Sequence, residues 1–189
     1  MKSFFSLSIG FCILVSFAGL DFRTLEIKIE DKSKISIQGT SNVNSFQCVY
    51  EEEISLVQNT IEFLPKSESF EVKKAQLNLE AKSFDCGGRR INRDFNNLLK
   101  SDAFPHVHIK ILTITPYGKS YLADVEVHIA GHTKRYQIEV VNPEKNQFLG
   151  ELILDITNFN LESPKKLMGL IKVDDLINIH FNMYIQIDA

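Results

Sequence analysis

The sequence has no tryptophan, only three cysteines and five prolines, and no large excess of either charge over its 189 residues. Three cysteines cannot build a dense disulfide scaffold, and none lies in the paired pattern of a structural zinc site. Lys and Arg number 21 against 24 Asp and Glu, so the net charge of −3 lacks the basic footprint of a nucleic-acid-binding protein. We therefore expect no nucleic-acid partner and a fold stabilised mainly by a hydrophobic core.

Sequence motifs of common enzymes are also missing. There is no Gly-x-Ser-x-Gly, no His-Glu-x-x-His and no glycine-rich phosphate loop. Gly87 and Gly88 are best interpreted as a turn, and Asp174 and Asp175 as solvated turn residues, because an acid/base pair needs burial and contrasting environments. We expect no catalytic residues and no enzymatic activity.

The first 18 residues have the pattern of a signal peptide. Lys2 precedes an apolar run over 4–17 that is short for a membrane span, and Ser16 and Ala18 are small residues suited to cleavage after Ala18. An uncleaved membrane anchor is the alternative. We predict an exported protein with no stable membrane span after cleavage and a mature domain over 19–189.

Two cysteines remain in the mature chain, Cys48 and Cys86. In an oxidising compartment an even pair of thiols favours a bridge, so we predict a Cys48–Cys86 disulfide. Two separate buried thiols are the alternative, because the loops decide whether the two Cα atoms approach each other.

Most of the mature chain alternates apolar with polar residues, which is typical of strands with one buried face. Eight such runs are found, at 25–29, 35–37, 77–79, 107–111, 125–129, 136–140, 152–156 and 177–187. Strands of this kind must protect their edges and fill one interior. The pattern predicts an all-β fold, a single antiparallel β-barrel of about eight strands, with a two-sheet sandwich as the alternative.

One segment has helical spacing. Phe95, Leu98 and Leu99 fall on one face of a helix predicted over 93–101, with Asn92 as its cap. A second short helix or turn is predicted over 164–170.

Three histidines are expected to lie together. His106 and His108 share one face of a strand, and the turn at 115–118 should bring His128 beside one of them. Their spacing is opposite in phase to that of Val127, which places them on the outer, solvated face. Three imidazoles on one patch could bind a metal, but we predict a polar outer surface and no metal site, because nothing there would hold a catalytic ion.

Five segments in series resemble the YceI-like family. They are 39–43 with Phe46, 85–88 leading to Asn92, 98–102 followed by Phe104-Pro105, 127–134, and 159–173. The resemblance covers nearly all of the mature chain. It implies a lipocalin-like barrel of eight antiparallel strands in a bacterial protein that is periplasmic or secreted, with a polyisoprenoid chain such as a quinone tail or a prenyl phosphate held inside.

An eight-stranded barrel is wide enough for its own side chains or one slender ligand. Ala75, Ala81 and Ala123 have inward phase and are small, while Met168 and Met183 are adaptable, so a narrow apolar chain could fit. The predicted ligand-binding interior consists of Val107, Ile109, Val125, Val127, Tyr136, Ile138, Phe181 and Met183.

A cluster of Arg89, Arg90 and Arg93 at the start of the predicted helix is a candidate site for a polar head group. Guanidinium groups beside free backbone N–H groups suit phosphate oxygens, and three solvated arginines are the alternative.

The sequence therefore predicts an exported protein that binds an isoprenoid or similar apolar or amphiphilic small molecule. The alternative is a secreted barrel with a filled core that acts as a protein- or metal-interaction module. No cofactor is expected apart from a bound isoprenoid lipid or quinone. The sequence leaves open whether the barrel forms a homodimer.

Overall fold

The alternating segments form strands of one continuous antiparallel sheet. The computed structural model describes residues 22–166 and 171–188. These residues contain one α-helix, α1 (Arg89–Leu98), and two short 3₁₀ helices, Ala81–Ser83 and Ile156–Phe159. The strands are β1 (Arg23–Ile29), β2 (Lys34–Ser41), β3 (Ser45–Tyr50), β4 (Thr60–Pro65), β5 (Phe70–Lys73), β6 (Gln76–Glu80), β7 (Phe84–Asp85), β8 (His106–Tyr117), β9 (Ser120–Ile129), β10 (His132–Val141), β11 (Gln147–Asp155), β12 (Lys165–Lys166) and β13 (Ile171–Asp188).

The sheet closes on itself. Its neighbours run in the order β1, β4, β5, β8, β9, β10, β11 and β13, and β13 pairs again with β1, which makes a ring of eight strands. Closure leaves this ring without a free edge, which is how a barrel resolves the exposure of unpaired backbone groups. The predicted eight-stranded barrel is confirmed, and the sandwich alternative is wrong.

Two long strands each pair with two short ones along the same edge. β1 and β2 both pair with β13, while β5 and β6 both pair with β8. β1 and β2 therefore form one extended segment that bends at residues 30–33. These residues do not form a hairpin. Lys74, with a φ of 66°, makes the corresponding kink between β5 and β6.

The helix is shifted from its predicted position. It spans Arg89–Leu98, so it begins four residues before the predicted start at Arg93. Gly88 occupies the N-cap position without a side-chain hydrogen bond, so the prediction that Asn92 is the cap is wrong. The Asn92 side chain instead accepts from the Cys86 N–H at 2.7 Å and donates to Asp85 Oδ1 at 2.7 Å. It thus fixes the loop that leads into the helix.

The helix and the segment after it cover one end of the barrel. Phe95 and Leu99 are buried in the core, as the helical spacing predicts. Lys100 Nζ donates to the Asn160 carbonyl at 3.3 Å, just after the second 3₁₀ helix. The Phe104 ring packs against Gly131 in the β9–β10 turn, where a Cβ would lie 3.0 Å from the ring.

The predicted disulfide is present. Cys48 in β3 is bonded to Cys86, which precedes α1, and both residues are buried in the core. The bond joins the edge of the sheet to the loop that Asn92 holds.

Some predictions concern residues outside the described ranges. The signal peptide over 1–18 and Met168 are among them. Of the predicted helix or turn over 164–170, the described part contains the short strand β12, whose backbone pairs with β13. Within 22–166 and 171–188, no helix is long and apolar enough to cross a membrane.

Candidate functional site

The eight predicted interior residues lie on β8, β9, β10 and β13 and belong to one core cluster. The buried members are Ile109, Val125, Val127, Ile138 and Met183, and the partly buried members are Val107, Tyr136 and Phe181. Cross-strand partners such as Ile109 and Val127 share a face. The structure therefore brings these side chains into one interior. Their role in ligand binding remains a prediction.

The interior has two halves that differ in exposure. At the end covered by α1, inward-facing Leu154 and neighbouring Phe159 are 0% exposed. At the opposite end, inward-facing Phe70, Tyr121 and Ile187 are 37%, 38% and 52% exposed. We name these regions the closed half and the open half. Because burying apolar surface is favourable, the exposed apolar side chains of the open half are an available surface for an apolar ligand.

The closed half is filled by its own side chains. The small residues Ala75 and Ala81 are buried there, and Ala123 is buried where the two halves meet. Close packing extends toward the open half, where Gly150 lies in the same cross-strand row as Tyr121. Gly150 faces Phe181 across β11 and β13, and a Cβ on Gly150 would lie 3.2 Å from the Ile138 side chain. The Ile138 side chain therefore occupies the space next to Gly150, and the lack of a Cβ there leaves no cavity. A ligand in the interior would need room from the open half or from movement of side chains.

Tyr136 carries a polar atom into this apolar interior. Its hydroxyl is buried, makes no hydrogen bond of good geometry among the described residues and lies close enough to the Asn158 side chain to interact weakly with it, and its ring stacks near Phe159 at a centroid distance of 6.4 Å. Burial raises the pKa of Tyr136, and the neighbouring Asn158 side chain opposes this effect. The hydroxyl is therefore protonated at neutral pH and can donate to an acceptor that enters the barrel.

The three arginines of the predicted head-group site lie on the exposed side of α1. Arg89, Arg90 and Arg93 are all exposed, and no ion pair within the described residues involves them. Because α1 covers the closed half, these arginines do not border the open half. A head group could reach them only from the end of the barrel that α1 covers.

The histidines lie on the outer face, as their phase predicts. His108 and His128 are direct cross-strand partners on β8 and β9, with ring centroids 5.6 Å apart. His106 lies 6.2 Å from His108 by the same measure. Burial lowers the pKa of His108, and the nearby His128 and His106 lower it further. In the described part of the chain, no group of three His, Cys, Asp or Glu side chains is placed to hold a metal ion.

Two concave regions lie outside the barrel. One has a volume of about 780 Å³ and is lined mainly by outward polar residues of β5, β8, β9 and β10, including Lys73, Asp124 and Gln137. The other, of about 540 Å³, lies over β2, β10, β11 and β13 and includes Ser36 and Glu151. Both linings mix polar and apolar side chains, whereas the inward face of the barrel is mainly apolar.

Ring closure, strand order and an inward apolar face define a lipocalin-like antiparallel β-barrel. Comparison with solved structures confirms, at the level of the fold, the resemblance to the YceI-like family. No protein-family model matches the sequence, and no curated protein is significantly similar to it.

Three similar solved structures illustrate this fold. BcnA of Burkholderia cenocepacia has a TM-score of 0.64 and 18% identity, with 84% of this chain and 99% of that chain covered. A polyisoprenoid-binding domain of Saccharophagus degradans, implicated in plant cell wall breakdown, has a TM-score of 0.54 and 11% identity, covering 87% and 99%. A YceI protein of Campylobacter jejuni has a TM-score of 0.50 and 12% identity, covering 100% and 99%.

Proposed function

We propose that this chain is an exported YceI-like protein that binds an isoprenoid or a similar amphiphile in its barrel interior. The observation that carries the proposal is the open half, where inward-facing Phe70, Tyr121 and Ile187 remain exposed. The polyisoprenoid-binding domain with the same fold supports the choice of ligand class. Binding of this kind requires neither a cofactor nor a catalytic group.

The apolar tail would contribute most of the affinity. Each buried methylene contributes about 0.8 kcal/mol, so ten buried carbons would contribute about 8 kcal/mol, near micromolar affinity before ordering costs. The tail would enter at the open half and extend toward Phe181 and Met183. Methionine is unbranched and adaptable, so Met183 can shift to admit a slender chain.

The bound amphiphile could lie in the barrel in two orientations, which differ in the position of its polar head group. A head that remains at the open half would be solvated there, whereas a head at the other end would approach Arg89, Arg90 and Arg93. We retain the head-group role of these arginines as a prediction. Replacing all three with Gln, with circular dichroism to verify the fold, should weaken a prenyl phosphate far more than an uncharged quinone. Equal affinities before and after the change would remove that role.

The main test is mass spectrometry of an organic extract from gently purified mature protein, followed by titration with an isoprenoid quinone. Ala123→Leu should lower lipid occupancy because it adds bulk where the open and closed halves meet. Leu122→Phe is a matched control, since it adds bulk on the outer face of the same strand. Loss of binding only in Ala123→Leu supports the proposal.

An empty extract together with no quinone binding would contradict lipid binding and would favour the filled-core interaction module. Export is tested separately by sequencing the amino terminus of the protein from its native compartment. Cleavage after Ala18 predicts a first residue of Gly19. A chain that begins at Met1 would contradict processing at this position.

A further inference from the structure

The outer face of the barrel carries a pair of imidazoles that lipid binding does not use. His108 and His128 face each other directly across β8 and β9. The same row continues to Asn78 on β6 and Thr133 on β10. This row is therefore a polar band across four strands, well away from the apolar interior.

The distance between the two rings suits a shared metal ion. An imidazole nitrogen binds Zn²⁺ at about 2.0 to 2.1 Å, which puts the ion about 3.2 Å from the ring centroid. Two rings on one ion therefore have centroids at most about 6.4 Å apart. The 5.6 Å separation of His108 and His128 lies within this limit and leaves the ion an angle suited to further ligands.

Each ring has a polar neighbour at Nδ1. His128 Nδ1 lies 2.8 Å from Thr133 Oγ1, and His108 Nδ1 lies 3.5 Å from the Gln76 side-chain nitrogen, which donates to it. Metal binding through His108 Nε2 therefore requires the other tautomer of this ring, with the Gln76 amide turned so that its oxygen accepts from Nδ1–H. Neither Nε2 atom has a hydrogen-bond partner among the described residues. A metal-binding histidine commonly donates its other ring N–H to a neighbouring oxygen, which fixes the tautomer. Thr133 is placed to accept that bond from His128.

We propose that His108 and His128 bind a divalent transition-metal ion through their Nε2 atoms on the outer face of the barrel, in contrast to the expectation from sequence that this patch has no metal site. The protein supplies two ligands, since no three candidate ligands are arranged around one point within the described ranges. Water completes the coordination. Imidazole ligands suit Cu²⁺, Ni²⁺ and Zn²⁺, and the general order of stability places Cu²⁺ first. The site therefore binds Cu²⁺ more tightly than Ni²⁺ or Zn²⁺.

The charges around the pair are balanced. Glu80 lies opposite His106 at one side of the patch. Lys110 and Glu126 are cross-strand partners in the next row, and Glu126 is also ion-paired with Arg135.

The test uses the untagged mature chain and Cu²⁺ alone. Titration calorimetry at pH 7.5 should show one Cu²⁺ per chain, and His108→Asn or His128→Asn should each weaken binding at least tenfold. His132→Asn is the matched control, because it removes an imidazole whose ring contacts Asn160 and lies outside the pair. This control should bind Cu²⁺ like the unmodified chain.

An NMR measurement on the unmodified chain does not depend on any variant folding. Substoichiometric Cu²⁺ should broaden the amide signals of His108, His128 and Thr133 before those of residues elsewhere. The proposal is overturned if broadening is centred elsewhere, or if His132→Asn weakens binding as much as the two pair variants. Affinity for Zn²⁺ above that for Cu²⁺ would also contradict it.

Discussion

At the scale of single residues, the lack of a side chain at Gly39 allows close packing in the core. Gly39 in β2 pairs with Phe46 in β3, and a Cβ on Gly39 would lie 2.3 Å from the Phe46 ring. Gly39→Ala should therefore lower the free energy of unfolding by about 1 to 3 kcal/mol, the usual cost of overpacking. Urea denaturation measures this change. Gly88→Ser is the control, because a Cβ there meets nothing within 4 Å.

The origin of that loss can be tested by a second substitution. Replacing Phe46 with Leu in the Gly39→Ala background removes much of the ring and should restore part of the lost stability. If Gly39→Ala is as stable as the parent chain, the ring has enough freedom to move away, and the packing argument is wrong.

The pKa of His108 predicts how stability depends on pH. Burial, followed by His128 and His106, lowers this pKa in the folded state below the ordinary value of 6.5. Between about pH 7.5 and 5.5 the unfolded chain therefore binds more protons than the folded chain. The free energy of unfolding should fall as the pH is lowered through this range. His108→Asn should make that dependence shallower, as measured by urea denaturation at several pH values.

Carboxylates affect the free energy of unfolding in a different pH range. Hydrogen bonds from Asn92 and from Thr157 lower the pKa values of Asp85 and Asp155 respectively. The stability they contribute is lost only as the pH falls below about 4. An unchanged slope between pH 7.5 and 5.5 in His108→Asn would show that other groups cause the pH dependence.

At the scale of elements, alternation predicted the longer strands well, because period two records which side chains point inward. It missed β3, β4 and β5, which have only four to six residues each. It also placed the helix start at Arg93, because Asn92 is a good cap by residue type. The structure uses Asn92 to hold Asp85 and the Cys86 N–H, a tertiary role that local preference cannot reveal.

The disulfide links the sheet to the loop before α1, so its loss should affect the closed half most. Cys48 and Cys86 are 38 residues apart in sequence. Closing a loop of this length contributes about 4 kcal/mol in the chain-entropy model. Reduction should lower the free energy of unfolding by up to that amount, as measured by guanidinium denaturation with and without reductant. Equal denaturation midpoints for the oxidised and reduced chains would contradict this estimate.

At the scale of the whole molecule, the sequence predicted the inward face but not which end of the barrel is open. Val127 and Phe181 have the same inward phase along their strands as Tyr121 and Ile187, yet only Tyr121 and Ile187 are well exposed. The difference arises because α1 and the 3₁₀ helices cover one end, and their docking depends on contacts distant in sequence. For the same reason, the sequence could not place Arg89 relative to the open half.

The two halves should differ in local stability, and hydrogen exchange can measure the difference. β4 and β5 are short and border the open half, whereas β9 pairs along its length with β8 and β10. Amides of β4 and β5 should therefore exchange faster than those of β9 in the ligand-free protein. An isoprenoid quinone bound in the open half should slow exchange in β4 and β5 more than in the already protected β9. Slowing confined to α1 would instead indicate that the ligand binds at the covered end, and uniform slowing would indicate global stabilisation without a preferred half.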